Sequence, residues 1–385
     1  MRVRTALLLS LLAGCAAAPQ RRAEAPAGGP DLREVDALFA PYAAPGAPGA
    51  GVLVLHGGRV ALSRGYGLGD LAARTPVTPE TRFRLASLTK QFTAAAVLLL
   101  AGEGRLGLDA RVADLLPGLP PSLGEVRVRH LLTHTSGVWD YEAFVPPTHP
   151  VQVRDRDVPA LLARAGRTYF PPGTAARYSN SAYALLALLV EHVSGRPFAA
   201  FLRERVFTPA GMPLAVAHEE GVSVVAARAW GYAPAEGAFV PRDQSPTSAV
   251  LGDGGVYASL GELAAWYRTL DAGALLPEAA LREAVTPVHL ADGTSAPYGF
   301  GWFVDTDGGR ARLSHHGETC GFTNAVVRYP EAGLTVVVLT NRAGGEPWRL
   351  AQRLADLWLG PPAGPPPGPP AAARPWPFES MPNAR

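Results

Sequence analysis

The strand-forming runs of this 385-residue chain lie at its two ends, and that arrangement limits its fold more than any other feature. Near the start, residues 51–56 (GVLVLH) and 59–63 (RVALS) are apolar, β-rich runs joined by Gly57-Gly58, a turn pair that tolerates positive φ. Three more runs come late, over residues 298–304, 323–329 and 335–340, with Pro330 to Gly333 as the turn between the last two. The middle differs. Residues 88–285 carry mostly helical periodicity, as in 183–193 and 263–270, so a sheet drawn from both ends flanks a largely helical insert at about residues 100–250. A last helix over residues 348–359 spaces its apolar side chains to pack on a sheet face. There is no internal repeat.

With 48% of its residues apolar, the chain can bury a substantial core. Its formal charge is +2 and its longest basic run is Arg21-Arg22, which gives no electrostatic footprint for nucleic acid. The chain opens on MRVR, continues with an apolar stretch over residues 6–13 and then reads Gly14-Cys15, the pattern of an export leader too short to span a bilayer. Residues 1–14 therefore read as a leader. Residues 12–15 (LAGC) also look like a bacterial lipobox, in which Cys15 is lipidated and becomes the first mature residue; an ordinary secretory leader with an incidental cysteine is the alternative. Both readings take the protein out of the cytoplasm, and the first tethers it to the membrane of the cell envelope, facing the periplasm. Residues 15–31, rich in Ala, Pro and Gly, read as a tether, residues 32–360 as the folded domain, and residues 361–385 as a Pro-rich tail in which Trp376 and Phe378 are candidates to dock on the domain. The other cysteine, Cys320, has no partner if Cys15 carries lipid, so no disulfide is expected.

Of the 35 basic residues only one, Lys90, is a lysine. Where arginine has displaced lysine everywhere else, the remaining lysine has a chemical reason to stay. Lys90 lies three residues after Ser87, at the start of the apolar helix expected over residues 92–100. That spacing puts the amine and the hydroxyl on one helix face, near an N-terminus that favours developing negative charge. A lysine whose pKa is lowered can assist proton removal from serine, whereas arginine stays protonated and cannot. The bland account of the same string is an N-cap serine followed by a solvated lysine.

Two further groups carry suitable chemistry. Tyr178 and Asn180 precede another apolar helix, placing a phenol able to relay a proton beside a carboxamide able to bind a substrate carbonyl. His315-His316-Gly317 lies on a strand-like run, where a glycine allows close approach of a ligand to the backbone. Adjacent histidines on a strand point to opposite faces and make a poor chelate, and His130 and His134 lack the glutamate of a zinc motif, so neither a metal nor another cofactor is expected. No G-x-S-x-G elbow occurs.

In this order, Ser87-x-x-Lys90, Tyr178-x-Asn180 and His315-x-Gly317 resemble the three motifs of the class C β-lactamase and D,D-peptidase family of serine hydrolases. Residues 75–93, the HLLTHTSG stretch at 130–137, the Gly254-Gly255 loop and residues 321–341 also look like family segments, so the likeness covers roughly residues 32–360. The resemblance implies an α/β fold with an antiparallel sheet, flanking helices and an all-helical subdomain, the site lying between them. It implies that Ser87 is acylated, that Lys90 and Tyr178 share the general-base work, that Asn180 orients substrate, and that the N–H groups of Ser87 and Glu318 form the oxyanion hole. Many relatives have lysine where this chain has His315. A mostly neutral histidine holds a substrate carboxylate weakly, and Glu318 adds negative charge next to it, so slow β-lactam turnover is expected. Three readings follow: an acyl-enzyme hydrolase of cell-wall-type peptides or β-lactams, an esterase on the same scaffold, or a non-catalytic module that binds such ligands.

Overall fold

The computed structural model describes residues 29–361, and in it both ends of the chain feed one antiparallel sheet. Helix α1 (Leu32–Ala43) starts at Asp31, whose side chain accepts from the Arg33 N–H and ends the expected tether. Strands β1 (Ala50–His56) and β2 (Arg59–Tyr66) form the first hairpin, with Gly57 and Gly58 both at positive φ. After the helical middle come β3 (Phe303–Asp307), β4 (Arg310–Thr319), β5 (Phe322–Tyr329) and β6 (Leu334–Thr340). Their order is β3-β4-β5-β6-β1-β2, so the first strand of the chain pairs with the last, with Ala50 opposite Thr340 and His56 opposite Leu334. The leader, Cys15, most of the tether and nearly all of the Pro-rich tail, with Trp376 and Phe378, lie outside the described residues.

Both sheet faces are covered, which is why the central strands read as nearly continuous apolar runs. On β1, Val52 and Val54 face α1 and the closing helix α5 (Pro347–Leu359), while Leu53 and Leu55 face the helical part of the molecule. On β6, Val336 and Val338 take the first side, and Val337 and Leu339 the second. Leu350, Leu354 and Trp358 of α5 complete the first core, at the helical spacing expected.

The second core joins the sheet to helices α2 (Lys90–Gly102), α3 (Asn180–Ser194) and α4 (Leu260–Asp271). Helix α2 is buried on nearly every side, including its polar residues Lys90, Gln91 and Thr93. A small three-stranded sheet made of Phe83–Arg84, Val256–Ala258 and Val216–Ala217 braces its start. The middle thus contains short strands, among them the hairpin Tyr232–Ala235 with Ala238–Pro241, as well as helices.

One strand differs from expectation. Residues 298–302 are irregular and β3 begins at Phe303, because the Gly299 N–H bonds back to the Trp302 carbonyl and Gly301 takes a φ of +80°. A Cβ on Gly301 would lie 2.9 Å from the Lys90 carbonyl, so this turn is held tightly against the start of α2.

Candidate active site

The turn that carries Ser87 is held from two directions. Leu85 donates its N–H to Val256 at 2.8 Å, Thr89 Oγ1 accepts from the Val256 N–H at 3.1 Å, and Asn324 of β5 donates to the Arg84 carbonyl at 2.9 Å. Between these anchors, Ala86 takes a φ of +51°, an uncommon conformation for a residue with a side chain. It turns the chain sharply so that Ser87 enters a 3₁₀ turn (Ala86–Thr89) leading into α2. Nothing in an alanine announces this.

Lys90 is fully buried, and its Nζ sits 2.9 Å from each of Ser87 Oγ, Asn180 Oδ1 and the Asp253 carbonyl oxygen. Burial lowers its pKa from 10.5 to about 8, against the opposing pull of Asp253, Asp140 and Glu142. The amine is therefore substantially deprotonated only just above neutrality. Tyr178 lies across the same group, with Lys90 Nζ 4.8 Å from its ring centroid and its phenol in hydrogen-bond contact with Ser87. Burial pushes that phenol well above its ordinary range, so it is held as the O–H form.

Asn180 is the first residue of α3, not a loop residue, and its N–H donates to Asp140 Oδ2 at 2.9 Å. Tyr141 donates to Asp253 Oδ2 at 2.9 Å. Asp140, Glu142 and Asp253 thus gather around Lys90, with Arg177 also acting on Asp140 and Arg84 on Asp253. Burial raises all three carboxyls, Asp253 to about 6, and mutual repulsion raises Glu142 and Asp253 further. Glu142 keeps an exposed edge at the cleft mouth. Sequence reasoning missed these three; Asp140 and Glu142 had one signal, as carboxylates shortly after the HLLTHTSG stretch, and Asp253 had none.

Gly317 lies against the nucleophile turn. A Cβ there would fall 2.4 Å from the Leu85 carbonyl and 3.1 Å from the Ser87 nitrogen, so only glycine lets β4 come this close. Glu318 lies at the mouth of the cleft, which has a volume of about 40 Å³ and is also lined by Ser87, Asn180, Glu142 and Thr319. His315 does not line it. Its ring is buried, with Nε2 2.9 Å from the Tyr298 hydroxyl and Nδ1 2.7 Å from the His316 carbonyl, among the rings of Tyr178, Tyr298 and Phe303. Bonding to a carbonyl puts the proton on Nδ1, so Nε2 accepts from the tyrosine. Burial, reinforced by His316 and Lys90, drives its pKa well below 6.5. His316 points the other way and is exposed.

The His134 ring packs against Tyr178 at a 37° tilt with ring centroids 4.2 Å apart, and its Nδ1 accepts from the Ser179 N–H, so it supports the phenol. Among the described residues, no group of three or more His, Cys, Asp or Glu side chains is placed to hold a metal ion. Cys320 is free and partly exposed, with its sulfur 3.8 Å from Thr319 Oγ1.

The family model described as Beta-lactamase matches residues 35–357. A penicillin-binding protein of Bacillus subtilis is 31% identical over 306 residues, 76% of this chain and 67% of that protein. A D-aminopeptidase of Brucella canis is 33% identical over 303 residues, 77% of this chain but only 57% of its own length. Among solved structures, the octameric penicillin-binding protein homologue of Pyrococcus abyssi superposes with a TM-score of 0.75 at 26% identity, covering 86% of this chain and 78% of that one. The D-amino acid amidase of Ochrobactrum anthropi shares the fold with a TM-score of 0.72 at 23% identity, covering 85% and 97%.

Proposed function

Because the chain belongs to the β-lactamase family of serine hydrolases, we propose that it hydrolyses amides through an acyl-enzyme on Ser87, taking substrates that carry a free amine near the scissile bond. The observation behind the chemistry is the buried Ser87–Lys90 pair at 2.9 Å. The neutral Lys90 amine takes the proton as Ser87 Oγ attacks the carbonyl carbon, and the N–H groups of Ser87 and Glu318 receive the oxyanion. The C–N bond then breaks as the Tyr178 phenol gives its proton to the leaving amine and is reprotonated from Lys90. Water repeats the sequence on the acyl-enzyme, releasing the acid. Asn180 holds Lys90 in place and borders the substrate.

The substrate class rests on charge. Among the described residues that line the cleft, the cation, Arg84, is spent on the Ser248 carbonyl at 2.7 Å, while Lys90 is enclosed and His315 is buried away from it, so the lining offers a carboxylate no free cation. Glu142 and Glu318 stand at the mouth instead, with Asp253 buried behind them, and these carboxyls favour a positive charge in the cleft. An incoming ammonium supplies it. The names of the D-aminopeptidase and D-amino acid amidase relatives agree with this reading. Penicillin acylation is the second reading, favoured by the Bacillus relative. Export, and lipid attachment at Cys15, rest on the leader sequence; a diacylglyceryl mass on the mature N-terminus tests them.

Intact-protein mass spectrometry and turnover with D-alanine p-nitroanilide, its N-acetyl form, benzylpenicillin and p-nitrophenyl acetate test the proposal, with Ser87→Ala as control. The free-amine anilide is expected to react at least about tenfold better than the N-acetyl form, corresponding to about 1.4 kcal/mol, and Glu318→Gln or Glu142→Gln should narrow the gap. Preference for the N-acetyl substrate would overturn the amine reading, and efficient turnover of the acetate alone would indicate an esterase. Unchanged turnover by Ser87→Ala would remove the serine mechanism altogether.

A further inference from the structure

The Tyr178 ring is walled by other rings. Those of His134, Phe303, His315 and Tyr298 lie around it, with centroids 4.2, 6.4, 6.2 and 6.3 Å away, while Lys90 Nζ faces it at 4.8 Å. Tyr298 joins the others. Its centroid is 4.5 Å from His134, 4.8 Å from Phe303 and 5.8 Å from His315, so among the described residues it is the one ring of this enclosure that meets all the rest.

Tyr298 is itself pinned at both ends. Its hydroxyl donates to His315 Nε2 at 2.9 Å, and His315 Nδ1 donates to the His316 carbonyl at 2.7 Å, so the chain of hydrogen bonds ends in the backbone of β4. Its N–H donates to the Ala296 carbonyl at 2.8 Å, at the head of the turn in which Gly301 is pressed against the Lys90 carbonyl. One turn thus touches both groups of the proton transfer, Lys90 through backbone and Tyr178 through rings. His315 is buried with both ring nitrogens engaged, and so has no hydrogen bond left to give a substrate carboxylate.

We propose that Tyr298, locked to His315, is a positioning residue for the Tyr178 phenol, holding it toward Ser87 and the leaving nitrogen. Position 315 then serves the proton donor instead of the substrate carboxylate. This inference rests on the acyl-enzyme mechanism proposed above, in which Tyr178 protonates the leaving amine.

D-alaninamide and the phenyl thioester of D-alanine carry the same acyl group and differ in what leaves. Ammonia needs a proton as the C–N bond breaks, whereas thiophenolate departs as the anion. On both substrates kcat/KM, which covers the steps through acylation, is measured for the unaltered chain, Tyr178→Phe, Tyr298→Phe and Tyr298→Leu. Tyr178→Phe is expected to lower the amide value at least about a hundredfold and the thioester value by no more than about threefold. Tyr298→Phe keeps the ring but loses the bond to His315, and should lower the amide value about tenfold; Tyr298→Leu opens the enclosure and should lower it about a hundredfold, both with the thioester largely spared. If Tyr178→Phe discriminates between the substrates and the Tyr298 variants lower both equally, the proposal is overturned, because a general loss of fold acts on both.

If Tyr178→Phe also lowers both equally, or the unaltered chain cleaves neither, the mechanism above has failed, and a second measurement decides the positioning by itself. With tyrosine rings labelled with carbon-13, the two edges of the Tyr178 ring are expected to give separate NMR signals in the unaltered chain and averaged ones in Tyr298→Leu, where the ring turns freely. Edges that stay equally separate in Tyr298→Leu would overturn the proposal.

Discussion

In the proposed mechanism Lys90 acts as base because it is buried where a charge is costly. Burial brings its pKa down to about 8, so the base form appears as pH rises through that value. The profile of kcat/KM should therefore show a rising limb near pH 8 and none near 6.5, because His315 is already neutral there; a flat profile from pH 6 to 9 would count against Lys90 as base. Lys90→Arg keeps a cation but loses the base, and should lower kcat/KM by about a thousandfold with an unchanged circular dichroism spectrum. This residue was legible because it is the single lysine. Asp253 was not: it meets Lys90 across 163 positions of sequence, and no local pattern encodes such a contact. His315 was legible as a motif position but not as a buried one, since its two hydrogen bonds depend on Tyr298 and on its own strand's backbone.

Strand β4 and the nucleophile turn touch through Gly317, and a methyl group there would press on backbone rather than on a yielding side chain. Gly317→Ala should cost about 1–3 kcal/mol of stability by overpacking, and should lower kcat by at least about a hundredfold by moving β4 off the oxyanion position; thermal unfolding and steady-state kinetics check the two effects separately. The central strands were readable because both of their faces are covered, leaving unbroken apolar runs bounded by turn residues. The start of β3 was misjudged because residues 298–302 are as apolar as a strand, yet are bent by Gly299 and Gly301 to hold α2. The bend at Ala86 left no trace in sequence either, since it is imposed by the anchors at Val256 and Asn324.

The whole molecule carries acidic groups that prefer their protons. Burial raises Asp253 to about 6 and Asp155, which accepts from the Leu251 and Gly252 N–H groups, to about 8. Between pH 4 and 8 these carboxyls bind more protons in the folded state than in the unfolded state, where they have already ionised, so their contribution to stability falls as pH rises; the buried His134 and His315, held neutral, act in the opposite sense below about pH 6.5. Tm is expected to fall by a few degrees between pH 6.5 and 8, measured by calorimetry, while activity moves the opposite way; a Tm that rises across this range would contradict the assignment. The enclosed Lys90 has a practical consequence as well. A protease that cuts only after lysine has one site in this chain, after residue 90, and that site is sealed in the folded protein. Such a protease would leave the native chain whole and split it once when the core around α2 opens, turning the rarity of a single amino acid into a gauge of how often the catalytic centre comes apart.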